Sequence, residues 1–513
     1  MSYLLGIDVG TSGTKALLCD ESGRVKATAV AEYGIRSPKP GWSEQNPVDW
    51  WKGVCEATKK VLKLAKAKPV EVLGIGLSGQ MHGSVFLGEG RKPLRPALLW
   101  NDQRTGAECV EIEAAAGGRE KLISMVANPA LTGFTAPKIL WVRKHEPAVY
   151  EKTKKILLPK DYVRYCMTGE YATEVSDASG TLLLDVVNRK WSRELLGKLK
   201  IDRELMPECF ESPEVTGVLT KVAAKEMGLV EGIPVVGGAG DVAAAGLGMG
   251  VVMAGLGSAT IGTSGVMFAH ADEPVLDPMG RVHTMCHAVP GKWCVFGCML
   301  SAGGSFQWAK EVLGEVEVAA AGKAGGRGGK SAYELMTALA AKAPAGGEGL
   351  YFLPYLTGER CPHPDALARG AFVGLTRRTT RAMMIRSVLE GVTFGLRDAA
   401  EIMRGMGLKI SKTRATGGGA KSAMWLQLQA DILKQEMVLT NSTEGGCFGV
   451  ALLAGVGAGV WSNIQQATEA TIRTTKSVKS NKTSAAVYDR HYAVYTRLYP
   501  ALKDVYPEMA KLA

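Results

Sequence analysis

The sequence lacks several features that define other classes of protein. Its ten cysteines include no Cys-x-x-Cys pair, and no basic and apolar leader precedes Tyr3. Such scattered cysteines are typical of a reduced compartment, so we expect a cytoplasmic protein. The net charge of +11 is small for 513 residues and is spread along the chain. It gives little support to nucleic-acid binding and fits small anionic substrates equally well.

Charged residues are missing altogether from residues 242–269. A stretch of this length could span a membrane. Of its 28 residues, however, seven are glycine and four are serine or threonine. That composition fits a buried helix followed by strands better than a membrane helix, so we expect no membrane association.

The motif Gly-Thr-Ser-Gly occurs twice, beginning at Gly10 and again at Gly262. Apolar residues flank both copies, so each is predicted to be a β-hairpin. Glycines let backbone N–H groups approach a phosphate and the hydroxyls add donors, so two facing hairpins could clamp a polyphosphate. Asp8 precedes only the first copy, and Thr260 takes its place in the second. This difference suggests that only the first hairpin handles a cation.

The length and the duplicated motif predict two similar halves, because 513 residues exceed a single core. Strands alternate with helices in both halves, which predicts α/β architecture. Strands are predicted at residues 72–78, 234–236 and 414–416, and glycine-rich or polar segments follow them. Ligands bind at such carboxyl ends in open α/β sheets. Residues 314–330, rich in alanine and glycine, are predicted to be a flexible surface insertion.

Asp241 stands where the strand at residues 234–236 has ended, beside glycines that would let a substrate approach closely. A catalytic role and a helix N-cap are both open for it. The segment from Gly238 to Ala243 also matches Gly-x-Gly-x-x-Ala. The acidic ribose partner expected about twenty residues later is missing, which disfavours a dinucleotide site.

Met81 and His82 follow the strand at residues 72–78. Core packing is the ordinary role of such residues at a strand end. The flanking Gly79 and Gly83 instead favour a loop that is open to ligand.

Two other patterns match known motifs only loosely. Residues 324–331 fit a relaxed phosphate-loop pattern, but the preceding residues make a weak buried strand, which such a loop requires. A cluster of histidines and cysteines has spacings that match no tetrahedral zinc module, so we expect ordinary packing. Its members are His283, Cys286, His287, Cys294 and Cys298.

Nine segments, taken in their order and spacing, resemble the FGGY family of carbohydrate kinases over residues 3 to about 461. They are residues 6–15, 78–83, 99–104, 133–141, 158–162, 238–241, 262–264, 389–391 and 417–422. The resemblance implies two actin-like (ribonuclease H-like) ATPase domains of α/β fold with a cleft between them. We expect a sugar-binding domain at residues 1–252 and an ATP-binding domain at residues 253–513.

The resemblance also implies the roles of individual residues. Asp241 would be the base that accepts a sugar hydroxyl proton, and Asp8 would hold Mg²⁺ through water near the phosphates. The residues implied to meet the ketose are Gln80, Met81, His82 and Asp241. Those implied to contact ATP are Thr11, Ser12, Gly262, Thr263, Gly418, Gly419 and Ser422.

Three positions bear on the substrate. Glycerol kinases carry an Arg-Glu pair where this chain has Met81-His82, and an aromatic residue where it has Gly133, so the implied acceptor is D-xylulose rather than glycerol. Ser422 replaces a common asparagine, which affects the purine contact, and Met383 replaces a common histidine on a helix face. The resemblance implies a small sugar as the partner and suggests a homodimer.

Two alternatives stay open at this point. A kinase of the same fold could act on another ketose or polyol, such as ribulose or a deoxy sugar. An actin-like or chaperone-like nucleotidase would instead use ATP to change shape and would phosphorylate no small molecule.

Overall fold

The structure is a computed structural model that describes residues 2–323 and 329–512. Its strands form two seven-stranded sheets and several two-stranded pairs. One large sheet uses strands that end before residue 241, and the other uses strands that begin at Leu256 or later. Each half of the chain therefore contributes one sheet.

The first half alternates strands and helices. Its strands are β1 (Tyr3–Val9), β2 (Gly13–Asp20), β3 (Val25–Glu32), β4 (Glu44–Gln45), β5 (Val72–Gly79), β6 (Val85–Leu87), β7 (Ala97–Leu98), β8 (Lys155–Leu157), β9 (Ala172–Glu174), β10 (Leu184–Asp185), β11 (Lys190–Trp191), β12 (Glu208–Phe210), β13 (Val215–Val218), β14 (Pro234–Val236) and β15 (Ala239–Gly240). Its α-helices are α1 (Pro47–Ala65), α2 (Gly106–Ala116), α3 (Arg119–Val126), α4 (Thr135–His145), α5 (Pro147–Lys152), α6 (Pro159–Thr168), α7 (Val175–Ala178), α8 (Arg193–Leu199), α9 (Lys221–Met227) and α10 (Asp241–Gly248).

The second half has longer helices. Its strands are β16 (Leu256–Ile261), β17 (Gly265–Ala271), β18 (His283–Cys286), β19 (Trp293–Met299), β20 (Tyr351–Leu353), β21 (Ala371–Val373), β22 (Lys412–Gly417), β23 (Glu436–Thr440) and β24 (Thr474–Val478). Its α-helices are α11 (Gly303–Leu313), α12 (Glu315–Lys323), α13 (Ala332–Ala340), α14 (Arg381–Gly405), α15 (Ala423–Leu433), α16 (Gly445–Gly457), α17 (Ile464–Thr471), α18 (Lys482–Tyr495), α19 (Leu498–Leu502) and α20 (Tyr506–Leu512). Short 3-10 helices span Pro69–Glu71, Glu89–Arg91, Ser179–Thr181, Arg203–Leu205, Gly347–Gly349 and Gly418–Ala420.

The two large sheets repeat one arrangement. In the first, the order is β13-β14-β5-β1-β2-β3, with β15 also paired to β5; β1 is antiparallel to β2 and parallel to β5. In the second, the order is β18-β19-β17-β16-β22-β23-β24; β16 is antiparallel to β17 and parallel to β22. Both Gly-Thr-Ser-Gly segments thus connect an antiparallel pair of strands, as the sequence predicted.

Helix α1 shows why the elements form where they do. Asn46 caps it by accepting a hydrogen bond from the Val48 amide, and Pro47 occupies the first turn, where no donor is needed. Its buried face, which includes Trp50 and Val54, packs on the first sheet. Such amphipathic packing supplies most of a helix's stability.

Helix α16 lies against the sheet of the other half. A Cβ atom at Gly6 would come within 2.0 Å of the Cys447 carbonyl oxygen, and one at Gly76 within 1.9 Å of the Val450 carbonyl oxygen. Glycine in β1 and β5 therefore lets the helix backbone lie directly on the strands. A helix from residues 445–457 thus completes the first half, and a division at residue 252 stays a prediction.

The structure tests two expectations about the middle of the chain. The uncharged stretch at residues 242–269 forms α10, β16 and β17. In the part of the chain that the structure describes, no helix has both the length and the apolar character needed to cross a bilayer. The predicted flexible insertion at residues 314–330 is wrong for residues 315–323, which form α12. The Glu317 carboxylate there pairs with Arg381 at 2.7 Å, which holds the helix to α14.

Candidate active site

Three strand ends of the first sheet converge at one point. Asp8 in β1 and Ala239 in β15 both pair with Ser78 of β5, so all three stand in one row across the sheet. Asp241 follows two residues after Ala239, as the first residue of α10. The pairing therefore brings Asp8 and Asp241 together at the carboxyl ends of parallel strands, the edge where α/β proteins bind ligands.

Asp8 has an oxygen to which none of the described residues donates a hydrogen bond. Its Oδ1 and the Ser78 hydroxyl are both buried, and neither has a hydrogen-bond partner in the described residues. Burial raises the pKa of Asp8, while the nearby Ser78 hydroxyl and the charge of Lys15 act in the opposite direction. An unsatisfied buried carboxylate oxygen is costly, so a hydrated cation fits at this position.

Asp241 has an unusual proton affinity. Burial and, to a smaller extent, the charge of Asp8 together raise its pKa to about 7, although a hydrogen bond from the Val242 amide partly opposes them. The N-cap of α10 is Gly240, so Asp241 does not serve as the cap. A carboxylate with a pKa near neutrality suits a general base.

A hydrogen-bond network fixes the first hairpin. The Gln80 side chain donates to the Gln45 side chain at 2.9 Å, and Gln45 donates to the Thr11 carbonyl at 2.6 Å. The Trp100 indole donates to the Thr11 hydroxyl at 3.0 Å. Gln80 is only 2% exposed, so this side chain supports the hairpin from the interior of the protein. Ser12, at the tip, is exposed.

Met81 and His82 differ in how far their side chains are buried. Met81 is buried in a core cluster with members from both halves, and a Cβ at Gly240 would meet its methyl group at 2.8 Å. Its side chain therefore packs in the core rather than in an open loop, because Gly240 leaves room for it, and contact with a ketose stays a prediction. His82 is half-buried and adopts a positive φ of 69°, a conformation uncommon outside glycine.

The His82 ring has a defined orientation. Its Nδ1 lies 2.7 Å from the Gly180 carbonyl oxygen, and a carbonyl can only accept, so Nδ1 carries the hydrogen. Burial lowers the pKa of His82 to about 3, so the ring is neutral and its Nε2 is a free acceptor. Thr135 and Lys138 both donate to the His82 carbonyl, at 3.0 and 2.9 Å, which fixes the backbone.

Aromatic contacts extend from His82 into the second half. Its ring meets Phe134 edge-on at 4.8 Å, and Phe134 meets His283 edge-on at 5.7 Å. His283 Nδ1 lies 3.1 Å from the Asn128 side-chain oxygen. The predicted packing role for His283 is thus confirmed, and the described residues contain no group of three or more side chains able to hold a metal.

A cavity of about 560 Å³ lies in the second half. The candidate ATP contacts Gly262, Thr263, Gly418, Gly419 and Ser422 all line it. Sequence reasoning missed several other lining residues, which are Phe306, Gln307, Tyr333, Glu334 and Trp425. Helix-face aromatics carry no motif, so no sequence signal marked them.

Two serines in this cavity cap helices. Ser422 accepts a hydrogen bond from the Trp425 amide at 3.3 Å, and Ser331 accepts one from the Glu334 amide at 3.3 Å. Ser331 ends the relaxed phosphate-loop pattern, whose residues 324–328 lie outside the described residues. Met383 is buried near the start of α14, where its amide donates to Thr380.

Two repeated sheets, a nucleotide-sized cavity and paired carboxylates at a sheet edge define an actin-like phosphotransferase. The chain belongs to the FGGY family of carbohydrate kinases: the model of the family's N-terminal domain matches residues 3–248, and that of its C-terminal domain matches residues 257–458. It is accordingly a sugar kinase that uses ATP.

Three comparisons cover most of the chain. It is 38% identical to a xylulose kinase of Lactococcus lactis over 508 residues, which is 98% of both chains. It is 40% identical to a xylulose kinase of Escherichia coli over 455 residues, 88% of this chain and 90% of the other. A crystal structure described as a xyloylose kinase from Brucella ovis has a TM-score of 0.89 and 36% identity, covering 98% of this chain and 100% of that one.

Proposed function

We propose that this kinase transfers the γ-phosphoryl group of ATP to O5 of D-xylulose. The observation that carries the proposal is Asp241, whose pKa of about 7 and place beside Asp8 suit a base for the acceptor hydroxyl. The xylulose kinases similar to this chain over nearly its whole length support the choice of sugar.

Asp241 would orient the acceptor hydroxyl and accept its proton as the phosphoryl group arrives. Phosphoryl transfer has a loose transition state, so positioning matters more than covalent help from the protein. The neutral His82 ring would accept a hydrogen bond from another sugar hydroxyl through Nε2. Met81 and Gln80 would act indirectly. Met81 would hold the loop that carries His82, and Gln80 would hold the hairpin that carries Thr11.

The two hairpins would hold the phosphates from both sides. Thr11 and Ser12 would contact them from the first half, and Gly262 and Thr263 from the second. Gly418, Gly419 and Ser422 would line the adenosine part of the cavity. Gly417 has a φ of 80° and lies so close to the Ile261 carbonyl that a Cβ would approach within 2.3 Å, so the loop requires glycine there.

Mg²⁺ fits the carboxylate at the end of β1. We propose that Asp8 holds it through water, because its Oδ1 is buried without a partner and oxygen ligands suit this ion. When bound, the ion would neutralise charge on the phosphates. The division into a sugar domain and an ATP domain, a homodimer and a cytoplasmic location stay predictions.

A substrate panel tests the proposed function. The purified protein is mixed with ATP and Mg²⁺, and phosphosugar formation is measured with D-xylulose, D-ribulose, L-ribulose and glycerol. We expect D-xylulose to give the highest kcat/KM, by about 10-fold or more over each other acceptor. A higher value with a ribulose would identify a different ketose kinase. ATP hydrolysis without any phosphosugar would contradict the proposal altogether.

A further inference from the structure

Arg360 is an unpartnered cation close to the proposed sugar site. It is half-buried, and in the described residues no hydrogen bond or ion pair reaches its guanidinium. A guanidinium has five donors in a planar fork, and leaving them unpaired in a partly buried place is unfavourable. A ligand that accepts hydrogen bonds would satisfy it.

The backbone on both sides of Arg360 is fixed against β19. The Glu359 carboxylate accepts hydrogen bonds from the Leu300 amide at 2.9 Å and from the Arg360 amide at 2.7 Å. On the other side, a Cβ at Gly297 would come within 2.8 Å of the Cys361 sulfur. The segment therefore runs alongside the last residues of β19.

This position places Arg360 at the junction of the two halves. His283 pairs with Phe296 of β19, and its ring meets Phe134, which in turn meets His82. The Arg360 charge lowers the pKa of both histidines, although burial is the larger cause at each. Strand β19 thus connects the Arg360 segment with the ring contacts that lead to His82, and the effect of the Arg360 charge on both histidines agrees with this placement.

Arg360 and Asp241 come from different halves of the chain. Asp241 begins α10 at the edge of the first sheet, whereas Arg360 follows β20 and is held beside the end of β19 through Glu359. Burial raises the pKa of the Cys298 thiol near that strand end, and the Arg360 and Asp241 charges act on it in opposite directions, which agrees with both groups lying near this point. A ligand bound between the halves can therefore meet both groups.

Arg360 and His82 have complementary hydrogen-bonding characters. Arg360 can only donate, and the His82 Nε2 can only accept because Nδ1 holds the hydrogen. The open-chain form of a 2-ketose has matching groups side by side, a carbonyl oxygen that accepts and a C1 hydroxyl that donates. A polyol has a hydroxyl in place of the carbonyl.

We propose that Arg360 binds the hydroxyketone end of the acceptor sugar, donating to its C2 carbonyl oxygen while His82 accepts from the C1 hydroxyl. The inference rests on the proposed ketose kinase function. It makes Arg360 a specificity-determining residue and makes the sugar site a product of both halves, whereas the sequence resemblance implied sugar contacts from the first half alone.

Replacement of Arg360 tests this role. Arg360→Gln and Arg360→Lys are compared with wild type for the KM of D-xylulose, the KM of ATP, kcat and inhibition by xylitol, the C2-reduced analogue. We expect R360Q to raise the KM of D-xylulose about 10-fold or more, with less than about 3-fold change in kcat and in the KM of ATP. Its Ki for xylitol should rise by less than the KM of D-xylulose, because the tetrahedral C2 hydroxyl of the polyol matches the planar guanidinium less well than the carbonyl does. R360K should lie between R360Q and wild type.

Arg377→Gln is the matched control, because Arg377 is an exposed arginine of the same half. It should leave every constant unchanged. An unchanged KM for D-xylulose in R360Q would overturn the inference. So would an equal loss for D-xylulose and xylitol, which shows that the contact does not depend on the carbonyl, or a raised KM for ATP alone, which indicates a phosphate contact. If wild type prefers another ketose, the proposed function fails and the same comparison is made with that ketose and its polyol.

Discussion

At the scale of single residues, Asp241 and Asp8 are the two carboxylates on which the proposed chemistry depends. Both carboxylates lie at the end of the same parallel strands, and the charge of Asp8 raises the proton affinity of Asp241. Among the described residues, one buried oxygen of Asp8 has no hydrogen-bond partner, which suits a cation. In the proposed function the two adjacent carboxylates would have different roles: Asp8 would hold a cation, and Asp241, with a pKa near neutrality, would exchange a proton.

The pH dependence of phosphorylation follows from the raised pKa of Asp241. A general base must be deprotonated, so kcat/KM for the sugar should fall about tenfold for each pH unit below the pKa. We expect the acid limb near pH 7, or somewhat lower because a cation at Asp8 would offset the smaller, Asp8 part of the shift. Initial rates across the acid and neutral range at saturating ATP and Mg²⁺ measure it. A limb at the ordinary aspartate value of about 4 would contradict the assignment.

At the scale of elements, the helix that carries Asp241 depends on a helix from the other end of the chain. A Cβ at Gly449 of α16 would come within 2.1 Å of the Ala244 carbonyl oxygen in α10. A Cβ at Gly248 of α10 would come within 2.0 Å of the Gly445 carbonyl oxygen. The two helix backbones are therefore in direct contact, and α16 also lies on β1, the strand of Asp8.

Gly449→Ala should separate α10 from α16. Overpacking of this kind costs about 1–3 kcal/mol and sometimes more, so we expect a lower free energy of unfolding and a lower kcat, because Asp241 begins α10. Gly197→Ala is the control: Gly197 is exposed in α8, a Cβ there would meet nothing within 4 Å, and alanine should be neutral or stabilising. Urea unfolding and steady-state kinetics measure both effects. Equal stability of the two variants would contradict the close contact.

The sequence predicts elements better than it predicts their partners. Both hairpins, helix α1 and the strand before Asp241 are readable because caps, turns and apolar alternation are local signals. The contact of α16 with β1 and β5 joins segments more than 350 residues apart, and only glycines mark it. Met81 shows the same limit, since Gly79 and Gly83 indicated an open loop, whereas its side chain packs against Gly240, which is distant in the sequence. Arg360 has no local pattern at all.

At the scale of the whole molecule, the proposed site draws on both halves. The first half supplies Asp8 and Asp241, and the second supplies the cavity proposed for ATP and the loop of Arg360 between β20 and β21. The rings of His82, Phe134 and His283 connect the halves beside the proposed sugar site. Contact between the halves would exclude water from the reacting groups, which favours transfer to sugar over transfer to water.

The central claim is that Asp241 is the base for phosphoryl transfer to a ketose, and Asp241→Asn tests it most directly. Asparagine keeps the size of the side chain but cannot accept the proton. The account predicts that kcat with D-xylulose falls by about 10²- to 10⁴-fold, while the affinity for ATP changes by less than about 3-fold. A variant that binds ATP normally and still phosphorylates D-xylulose at close to the wild-type rate would contradict it.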